Sequence, residues 1–327
     1  MNILVCGGAG YIGSHMVRHL LDAGHQVSVF DNLSTGYEWS IPAGVFLLQA
    51  DLLNESALDS FFGSQKFDAV MHFSAKSLVG ESVQKPHEYY LNNVVGTLNL
   101  LSAMRRAGVD KFVFSSTAAT FGNPVADVID ESHPQSPINP YGQTKLMVEK
   151  VLQDYSKAYD LNSVSLRYFN AAGADPSGSI GEAHDPETHL IPNVLKSCLN
   201  SGGFNQLKIF GNDYDTPDGT CVRDYIHVND LADAHLRAIH YMENNIGAHA
   251  FNLGNGSGFS VLEVLAAAEE VVGQNIPYEI AARREGDPAV LVADSSLARE
   301  ELNWEPAYRD IKPIIETAWN WHQKHHA

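Results

Sequence analysis

The sequence predicts an α/β protein in which a doubly wound parallel sheet forms a larger domain and a smaller mixed α/β domain follows. Two observations predict this fold class. Short apolar segments, typical of buried strands, alternate with segments of helical periodicity across the first half of the chain, and a glycine-rich turn separates the first strand from the first helix. Such alternation is typical of parallel strands whose connecting helices cover both faces of a sheet.

The first strand–helix–strand unit predicts a dinucleotide-binding site. The three elements are predicted at Asn2–Cys6, Ser14–Ala23 and Gln26–Asp31. The turn before the helix has glycines at the spacing of the pyrophosphate-binding fingerprint, Gly7, Gly10 and Gly13. Glycines allow a tight turn and a close approach of backbone to phosphate, which the helix amino terminus also attracts. Asp31 can accept hydrogen bonds from ribose hydroxyls and would repel a 2′-phosphate, so this Rossmann-type unit predicts NAD rather than NADP.

The alternation continues as far as residue 168. Further strands are predicted at Val45–Ala50, Asp68–Phe73, Lys111–Ser116 and Ser163–Tyr168, and helices at Ser56–Phe62, Glu88–Ala107 and Tyr141–Tyr159. A Gly/Pro-rich stretch then predicts a boundary between a cofactor domain, residues 1–175, and a smaller substrate domain, residues 176–327. Later elements are predicted at Leu190–Leu199, Asn229–Met242 and Ala250–Leu253. We expect the last of these, a strand, to return to the main sheet, so that residues 226–258 rejoin the first domain.

A tyrosine and a lysine one helical turn apart are the candidate catalytic pair. A proline suited to a first helical turn precedes Tyr141, and helical periodicity follows Lys145, so the two are expected on one helix face. At that spacing an ammonium can favour the ionised form of a phenol, which then acts as a base near neutral pH. Tyr308 and Lys312 have the same spacing, but Pro313 is expected to end or kink any helix there.

Three hydroxyl side chains end the predicted strand before this helix, at Ser115, Ser116 and Thr117. Any of them could share a hydrogen bond with a substrate oxygen and the phenol, which would complete a proton-transfer set. Other polar residues follow strand ends and can face the same crevice. Asp51 can contact an adenine or cap a turn, and Lys76 can bind a cofactor or lie in solvent.

The charge balance argues against polyanionic partners. Acidic residues number 39 against 21 basic ones, and the formal net charge of -18 would repel nucleic acid and anionic membranes. An anionic small molecule would need a local group of basic side chains. The candidates are Arg223, Arg283 and Arg284, each of which could instead form a surface ion pair. The sequence therefore predicts neither a nucleic-acid partner nor a membrane partner.

Cysteine usage and the amino terminus predict a soluble, cytoplasmic protein. The three cysteines, Cys6, Cys198 and Cys221, are odd in number and widely spaced, which fits a reducing compartment and argues against a structural zinc. The chain enters a strand at Asn2 without a basic segment or a long apolar run. No metal is expected.

Several motifs carry a resemblance to a known family. The stretches Gly7–Gly13, Ser115–Thr117 and Tyr141–Lys145 resemble the extended short-chain dehydrogenase/reductase family. Further motifs, which begin at Gly80, Arg167, Glu187, Ile209, Gly219 and Arg283, are similar to those of its UDP-sugar 4-epimerases along nearly the whole chain. The resemblance implies an isomerase of galactose metabolism that uses NAD to interconvert UDP-glucose and UDP-galactose through a 4-keto sugar.

The resemblance also implies roles for individual residues. Tyr141 would be the base, Lys145 would hold the nicotinamide ribose and lower the pKa of the tyrosine, and Thr117 would bind the sugar. The NAD site would be lined by Gly7, Gly10, Tyr11, Ile12, Gly13, Asp31, Asn32, Asp51, Leu52, Phe73, Asn92, Ser115, Tyr141, Lys145 and Tyr168. Besides Thr117, the substrate would be held by Asn170, Leu190, Phe210, Arg223, Arg284 and Asp287.

This chain departs from the family pattern in places. The best-known members have a cofactor-contacting lysine where Ser77 stands, which leaves the role of Lys76 open, and some have Asn in place of His189. A bulky Tyr at the position of Leu291 is associated in the family with exclusion of N-acetylated sugars. We therefore expect weak activity on UDP-N-acetylglucosamine, because leucine is smaller and can change rotamer.

Three alternative functions remain to be separated. A nucleotide-sugar dehydratase would need Asp-Glu directly after Thr117, where this chain has Ala118 and Ala119. An NADP-dependent reductase is disfavoured by Asp31. A non-catalytic dinucleotide-sensing regulator would have no need for the tyrosine and lysine.

The resemblance further implies a homodimer. We expect its interface to use the helices near Glu88–Ala107 and Tyr141–Tyr159. The apolar stripe of the second helix is broader than one sheet face requires.

Overall fold

A parallel sheet of seven strands lies at the centre of the structure, a computed structural model that describes residues 1–199, 207–284 and 287–325. The strands, numbered along the chain, are β1 (Asn2–Cys6), β2 (Gln26–Asp31), β3 (Phe46–Gln49), β4 (Ala69–His72), β5 (Lys111–Thr117), β6 (Val128–Ile129), β7 (Asn162–Tyr168), β8 (Asn170–Ala172), β9 (Leu207–Phe210), β10 (Val222–Arg223), β11 (Tyr225–His227), β12 (Ala248–Leu253), β13 (Phe259–Ser260), β14 (Tyr278–Ala281) and β15 (Val290–Ala293). The α-helices are α1 (Tyr11–Asp22), α2 (Glu55–Ser64), α3 (Val79–Gln84), α4 (Pro86–Tyr89), α5 (Gly96–Ala107), α6 (Pro140–Tyr159), α7 (Leu190–Leu199), α8 (Val228–Tyr241), α9 (Val261–Val272), α10 (Ser296–Glu301) and α11 (Ile311–His325).

The strand order confirms the predicted doubly wound fold. Across the main sheet the order is β12-β7-β5-β4-β1-β2-β3, and every pairing is parallel. The chain leaves β1 toward β2 and β3, then crosses back to β4 on the other side of β1. In such sheets ligands bind beyond the carboxyl ends of the strands at this reversal. The strand predicted at Ala250–Leu253 is β12, which pairs with β7 at one edge.

Apolar side chains fill both faces of this sheet. On one face α1 and α8 contribute Met16, Leu20, Leu231 and Ile239 to a core that also includes the strand residue Val5. On the other face α2, α5 and α6 pack together. Their buried residues in this core include Leu58, Leu100, Met104, Val148 and Leu152. Each such side chain stabilises the fold by about 1.5–3 kcal/mol relative to its exposed state.

The second half of the chain builds a smaller region with its own core. Helices α7, α9 and α11 contribute Leu195, Leu265 and Ile315 to a third apolar cluster. Short sheets accompany it, one of them in the order β13-β10-β15-β6. Because β6 lies before residue 175 and pairs with β15, the smaller region includes a piece of the first half. The domain boundary near residue 175 stays a prediction.

One predicted helix is interrupted in the structure, and one predicted helix end is not observed. The segment Glu88–Ala107 was expected to be one helix, but a π-helical turn, Tyr90–Val95, separates α4 from α5. There the buried amide of Asn93 donates to the carbonyl oxygen of Lys76 at 3.0 Å and accepts from its backbone N–H at 2.9 Å. Pro313 does not end a helix, since it lies in the first turn of α11, where a proline costs little.

In the described parts of the chain, no helix combines the length and the apolar character needed to cross a membrane.

Candidate active site

A cavity of about 1700 Å³ opens beyond the carboxyl ends of β1, β4 and β5. Its wall runs from the glycine turn after β1, past the start of α6, to arginines of the smaller region. Sites for a single small ligand enclose roughly 300–1000 Å³. The cavity is therefore large enough for two extended ligands that meet between the two regions.

The glycine turn has the geometry of a phosphate cradle. Gly7 has φ +80°, and a Cβ there would lie 2.5 Å from the backbone nitrogen of Ser74. A Cβ on Gly13 would overlap the carbonyl oxygen of Gly7, so only glycine lets α1 pack this close to β1. At Gly10 an added Cβ would meet one protein atom within 4 Å, at 3.5 Å, because this position faces the cavity. The first amides of α1, which lack partners inside the helix, point toward that space.

Polar residues at the ends of β2 and β3 form a second, connected group. Backbone N–H groups of Ala9 and Leu33 donate to the two oxygens of Asp31 at 2.9 and 2.8 Å. The side chain of Asn32 donates to Asp51 at 2.8 Å. Burial raises the pKa of Asp31, and the two backbone donors act in the opposite direction. The carboxylate is thus fixed beside the glycine turn, with further lone pairs for a ribose.

The start of α6 brings Tyr141 to Thr117. The side chain of Asn139 accepts a hydrogen bond from the Gly142 N–H at 2.9 Å and caps the helix, and Pro140 occupies its first turn as predicted. A Cβ on Gly142 would overlap the carbonyl oxygen of Ala119. Glycine at this position therefore lets the first turn of α6 rest on the turn after β5, which places the phenol of Tyr141 against the Thr117 hydroxyl.

The surroundings of the Tyr141 phenol shift its pKa in opposite directions. Burial raises the pKa of Tyr141, and the hydrogen bond from Thr117 lowers it by less. The expectation that Lys145 lowers the pKa of Tyr141 stays a prediction. The Lys145 ammonium is 5.9 Å from the centre of the Tyr141 ring and donates to the Ser115 carbonyl oxygen at 2.6 Å.

The pKa of Lys145 is also shifted by its surroundings. Lys145 is buried, and burial lowers its pKa to about 7, while the carboxylate of Glu149 raises it by less. Nearby, the buried Glu149 forms an ion pair with Arg167 at 2.6 Å and accepts from the Ser116 hydroxyl. The guanidinium of Arg167 therefore balances the buried carboxylate of Glu149 on α6.

The three strand-end hydroxyls have separate partners. Ser115 shares a short hydrogen bond with the phenol of Tyr168, Ser116 donates to Glu149, and the Thr117 side chain interacts with the phenol of Tyr141. Successive side chains on a strand point to opposite faces, so Ser115 and Thr117 face the cavity and Ser116 faces away. Of the three candidates, Thr117 is the one paired with the phenol.

Basic groups lie at the far end of the cavity. Arg223 is 3.3 Å from Asp287, and the guanidinium of Arg284 stacks on Phe210 at 4.1 Å from the ring centre. Arg283 was also a candidate for diphosphate binding, but it does not line this cavity. Its guanidinium turns outward to Asp213, 2.6 Å away.

Most residues of the predicted site share this cavity. Its wall includes Gly7, Gly10, Tyr11, Ile12, Gly13, Phe73, Ser115, Thr117, Tyr141, Lys145, Tyr168, Asn170, Leu190, Phe210, Arg223, Arg284 and Asp287. Five predicted cofactor residues are not part of this wall, namely Asp31, Asn32, Asp51, Leu52 and Asn92. For all of these residues the assigned roles stay predictions.

Sequence reasoning missed part of the wall. Residues 77–81 and Val83 line the cavity, whereas Lys76 pairs with Glu88 at 2.6 Å. It also missed the buried Asn93, which donates to Thr144 at 3.1 Å on the helix of Tyr141. An asparagine within an apolar helical segment was the available indication, since a buried amide needs partners.

The fold and the cavity define a dinucleotide-dependent enzyme of the short-chain dehydrogenase type, and the chain belongs to the NAD dependent epimerase/dehydratase family, whose model matches residues 3–254.

Within that family the chain is similar to UDP-glucose 4-epimerases. It is 53% identical to the one from Halalkalibacterium halodurans over 325 residues, which cover 99% of this chain and 96% of that protein. It is also 53% identical to the UDP-glucose 4-epimerase of Rhizobium meliloti over 323 residues, 99% of this chain and 97% of that protein. A crystal structure of the Bifidobacterium longum UDP-glucose 4-epimerase with NAD+ and UDP superposes with a TM-score of 0.93 at 40% identity, covering 99% of this chain and 98% of that one.

Proposed function

We propose that this protein is a UDP-glucose 4-epimerase, which interconverts UDP-glucose and UDP-galactose through a 4-keto sugar while NAD stays bound. One observation carries the proposal. The Thr117–Tyr141 pair lies in one cavity between a phosphate cradle and a pair of arginines. A site of this layout can bring a dinucleotide and a nucleotide sugar together at a single proton-transfer group.

The residues present fit NAD. The open space in front of Gly10 and the amides that begin α1 suit a pyrophosphate. Asp31 would accept hydrogen bonds from the adenosine ribose, and Lys145 and Tyr141 would hold the nicotinamide end. When bound, NAD supplies the acceptor and then the donor of the hydride at sugar carbon 4.

The protein's own residues would move the proton. Tyr141 as phenolate takes the proton of the sugar 4-hydroxyl and returns it after the ketone has turned over in the site. Thr117 donates to the phenol oxygen and favours its ionised form. The buried ammonium of Lys145 adds positive charge near the same oxygen. General-base catalysis of this kind contributes about 10²- to 10⁴-fold in rate.

The diphosphate anchor would allow the sugar to rotate. Arg223 and Arg284 stand at the end of the cavity away from the glycine turn, where they can bind a diphosphate. The substrate would then be gripped by its nucleotide and not by its hexose, so the ketone is free to present either face. Both faces must be presented because the hydride leaves one and returns to the other.

The alternatives fit the site less well. A dehydratase needs an acid and a base after Thr117, but the 3₁₀ turn there consists of Ala118, Ala119 and Thr120. A non-catalytic regulator would not require the buried Lys145 that faces the same cavity. An NADP enzyme would bring a 2′-phosphate toward Asp31.

The decisive experiment is an assay that starts from UDP-galactose with no NAD added. We expect UDP-glucose to form, and nicotinamide to appear in the supernatant when the purified protein is denatured. Conversion of UDP-galactose only when free NAD is supplied would refute tight cofactor retention. No conversion under either condition would also refute the assignment as an epimerase.

The proposed enzyme is a homodimer of the cytoplasm. Apolar side chains are exposed on the two helical segments predicted for the interface, with Leu91, Val95, Met147 and Tyr159 at 37%, 40%, 36% and 50% exposure. Side chains of this type on adjoining surfaces favour association. Sedimentation at micromolar concentration should give a dimer, and Met147→Glu should shift it toward monomer. A monomeric wild type would contradict the proposal.

A further inference from the structure

Four side chains of types that bind metals converge on the loop that leads from β8 to α7. They are Glu182, His184, Glu187 and His189, which fall within eight residues of one another in sequence. One ligand atom from each of the four lies within 4.8 Å of all the others. The reaction proposed above uses none of the four.

The distances inside this cluster lie on both sides of those in a coordination shell, from 2.9 Å up to at most 4.8 Å. The Nδ1 of His189 is 2.9 Å from oxygens of both Glu182 and Glu187, and the Nδ1 of His184 is 3.0 Å from Glu182. In a tetrahedral zinc site with bonds of about 2.0–2.1 Å, ligand atoms are roughly 3.3–3.5 Å apart. Small side-chain movements would therefore admit an ion.

Hydrogen bonds among the four side chains do not account for all of these short contacts. One Nδ1–H of His189 can point at only one of the two carboxylates that it faces at equal distance. Within the described residues, the buried Nδ1 of His184 makes no hydrogen bond, although Glu182 is 3.0 Å away, and neither does the Oε2 of Glu187. The side chains of Glu182 and Glu187 are only 6% and 5% exposed, so burying two carboxylates side by side is costly unless positive charge balances them.

Hydrogen bonds to one oxygen of Glu187 orient the other oxygen toward the cluster. The Oε1 of Glu187 accepts from the backbone N–H groups of Thr188 and His189 at 2.8 and 2.9 Å. These bonds orient the carboxylate, which leaves Oε2 directed at the cluster, 3.9 Å from His184 Nδ1. Supporting hydrogen bonds of this kind commonly orient metal ligands. Lys196 is the nearest competing cation, 3.6 Å from the same oxygen.

We propose that Glu182, His184, Glu187 and His189 bind one zinc ion. Two neutral imidazoles and two carboxylates balance the charge of a divalent ion, and nitrogen and oxygen ligands in a group of four suit zinc. With four protein ligands the site is closed and structural. The prediction of no metal rested on cysteine spacing, which does not test histidine and carboxylate ligands.

The position of the cluster indicates what the ion would stabilise. The ring of His184 packs edge-on against Tyr11 beside the glycine turn, with ring centres 6.2 Å apart. Leu190, which begins α7 and lines the cavity, directly follows His189. An ion would thus fix a loop that touches the dinucleotide end of the cavity and leads into the substrate wall. His184 and His189 are 31% and 47% exposed, so the ion and chelators can reach them from solvent.

The test is zinc content, measured on the full chain with any affinity tag removed. After equilibration with zinc and gel filtration, wild type should retain about one zinc per chain. Glu187→Gln and His189→Asn should each weaken zinc affinity by at least about tenfold, measured against a competing chelator. His240→Gln is the matched control, because His240 is an exposed histidine 3.5 Å from a single carboxylate, Glu243. It should bind zinc as wild type does.

A second measurement does not depend on the variants folding. Cobalt added to the zinc-free wild type should give the visible absorption of four-coordinate Co²⁺, and zinc should abolish it. Wild type that retains no stoichiometric zinc would overturn the proposal. So would zinc binding that survives both cluster substitutions unchanged. Neither readout uses turnover, so this result and the result of the epimerase assay are independent.

Discussion

The ammonium of Lys145 donates a 2.6 Å hydrogen bond to the carbonyl oxygen of Ser115, although Lys145 lies one helical turn from Tyr141. The lysine therefore ties α6 to the end of β5, where Thr117 meets the phenol. We propose that Lys145 acts on Tyr141 through position and charge at a distance, and that Tyr141 carries the proton.

Replacement of this phenol should remove turnover and leave binding intact. In Tyr141→Phe we expect activity to fall by about 10²- to 10⁴-fold, since only proton transfer is lost. NAD content and UDP affinity should match wild type. Tyr278→Phe, at an exposed tyrosine of β14, is the control and should be fully active. Near-normal activity of Tyr141→Phe would exclude Tyr141 as the base.

Two neighbouring arginines give an internal test of the diphosphate anchor. Arg284→Gln should raise KM for UDP-galactose by about 10- to 100-fold with little change in kcat, because it removes a charged contact made equally in ground and transition states. Arg283→Gln removes the same charge one residue away, where the side chain faces Asp213. It should leave KM unchanged. Equal effects of both substitutions would mean that overall charge, and not the anchor, binds the substrate.

The first half of the fold was predictable because its elements have strong local patterns. The bounds of β1 and β2 match the predicted strands, and the glycine turn lies between β1 and α1 as expected. The break in the helix before Ala107 was not predictable from periodicity, since it depends on the side chain of Asn93 bonding to Lys76 on another loop. The strands of the smaller region were missed because several are two or three residues long, too short for a pattern.

The site was predicted more completely than the second domain. Spacing indicated Tyr141 and Lys145, but it could not decide among three hydroxyls, which required the alternation of side chains along β5. It also could not tell Arg284 from Arg283, because their directions depend on Phe210 and Asp213, far away in sequence. Residues 77–81 and Val83 include the start of the family motif at Gly80, but the motif alone did not place them on the cavity wall.

We expect Leu291 to limit the size of the sugar. It lines the cavity on β15, directly beside Arg223 on β10. We expect weak activity on UDP-N-acetylglucosamine, which Leu291→Cys should raise and Leu291→Tyr should lower relative to UDP-glucose, because an acetamido group needs room. The measurement is kcat/KM for both sugars. A ratio that neither substitution changes would show that another residue sets the limit.

Four buried histidines should make the fold sensitive to acid. Burial lowers the pKa of His15 and His235 to about 4 and that of His72 and His227 to about 3. The unfolded chain takes up these protons near pH 6.5, whereas the folded chain does not. The contribution of these four histidines to the free energy of unfolding should therefore be constant above about pH 6.5 and fall below it, by up to roughly 1.4 kcal/mol per pH unit for each histidine. Denaturant titrations from pH 7 to 4 check this, and a flat profile would contradict it.

The most direct test of the epimerase follows the hydrogen on carbon 4. UDP-galactose labelled with deuterium at that carbon is converted in the presence of excess unlabelled NAD and NADH, and the product is analysed by mass spectrometry and NMR. We expect UDP-glucose with the deuterium still on carbon 4, because the bound cofactor returns the hydride that it removed. Loss of the label to solvent or to the free cofactor, with or without product, would contradict it.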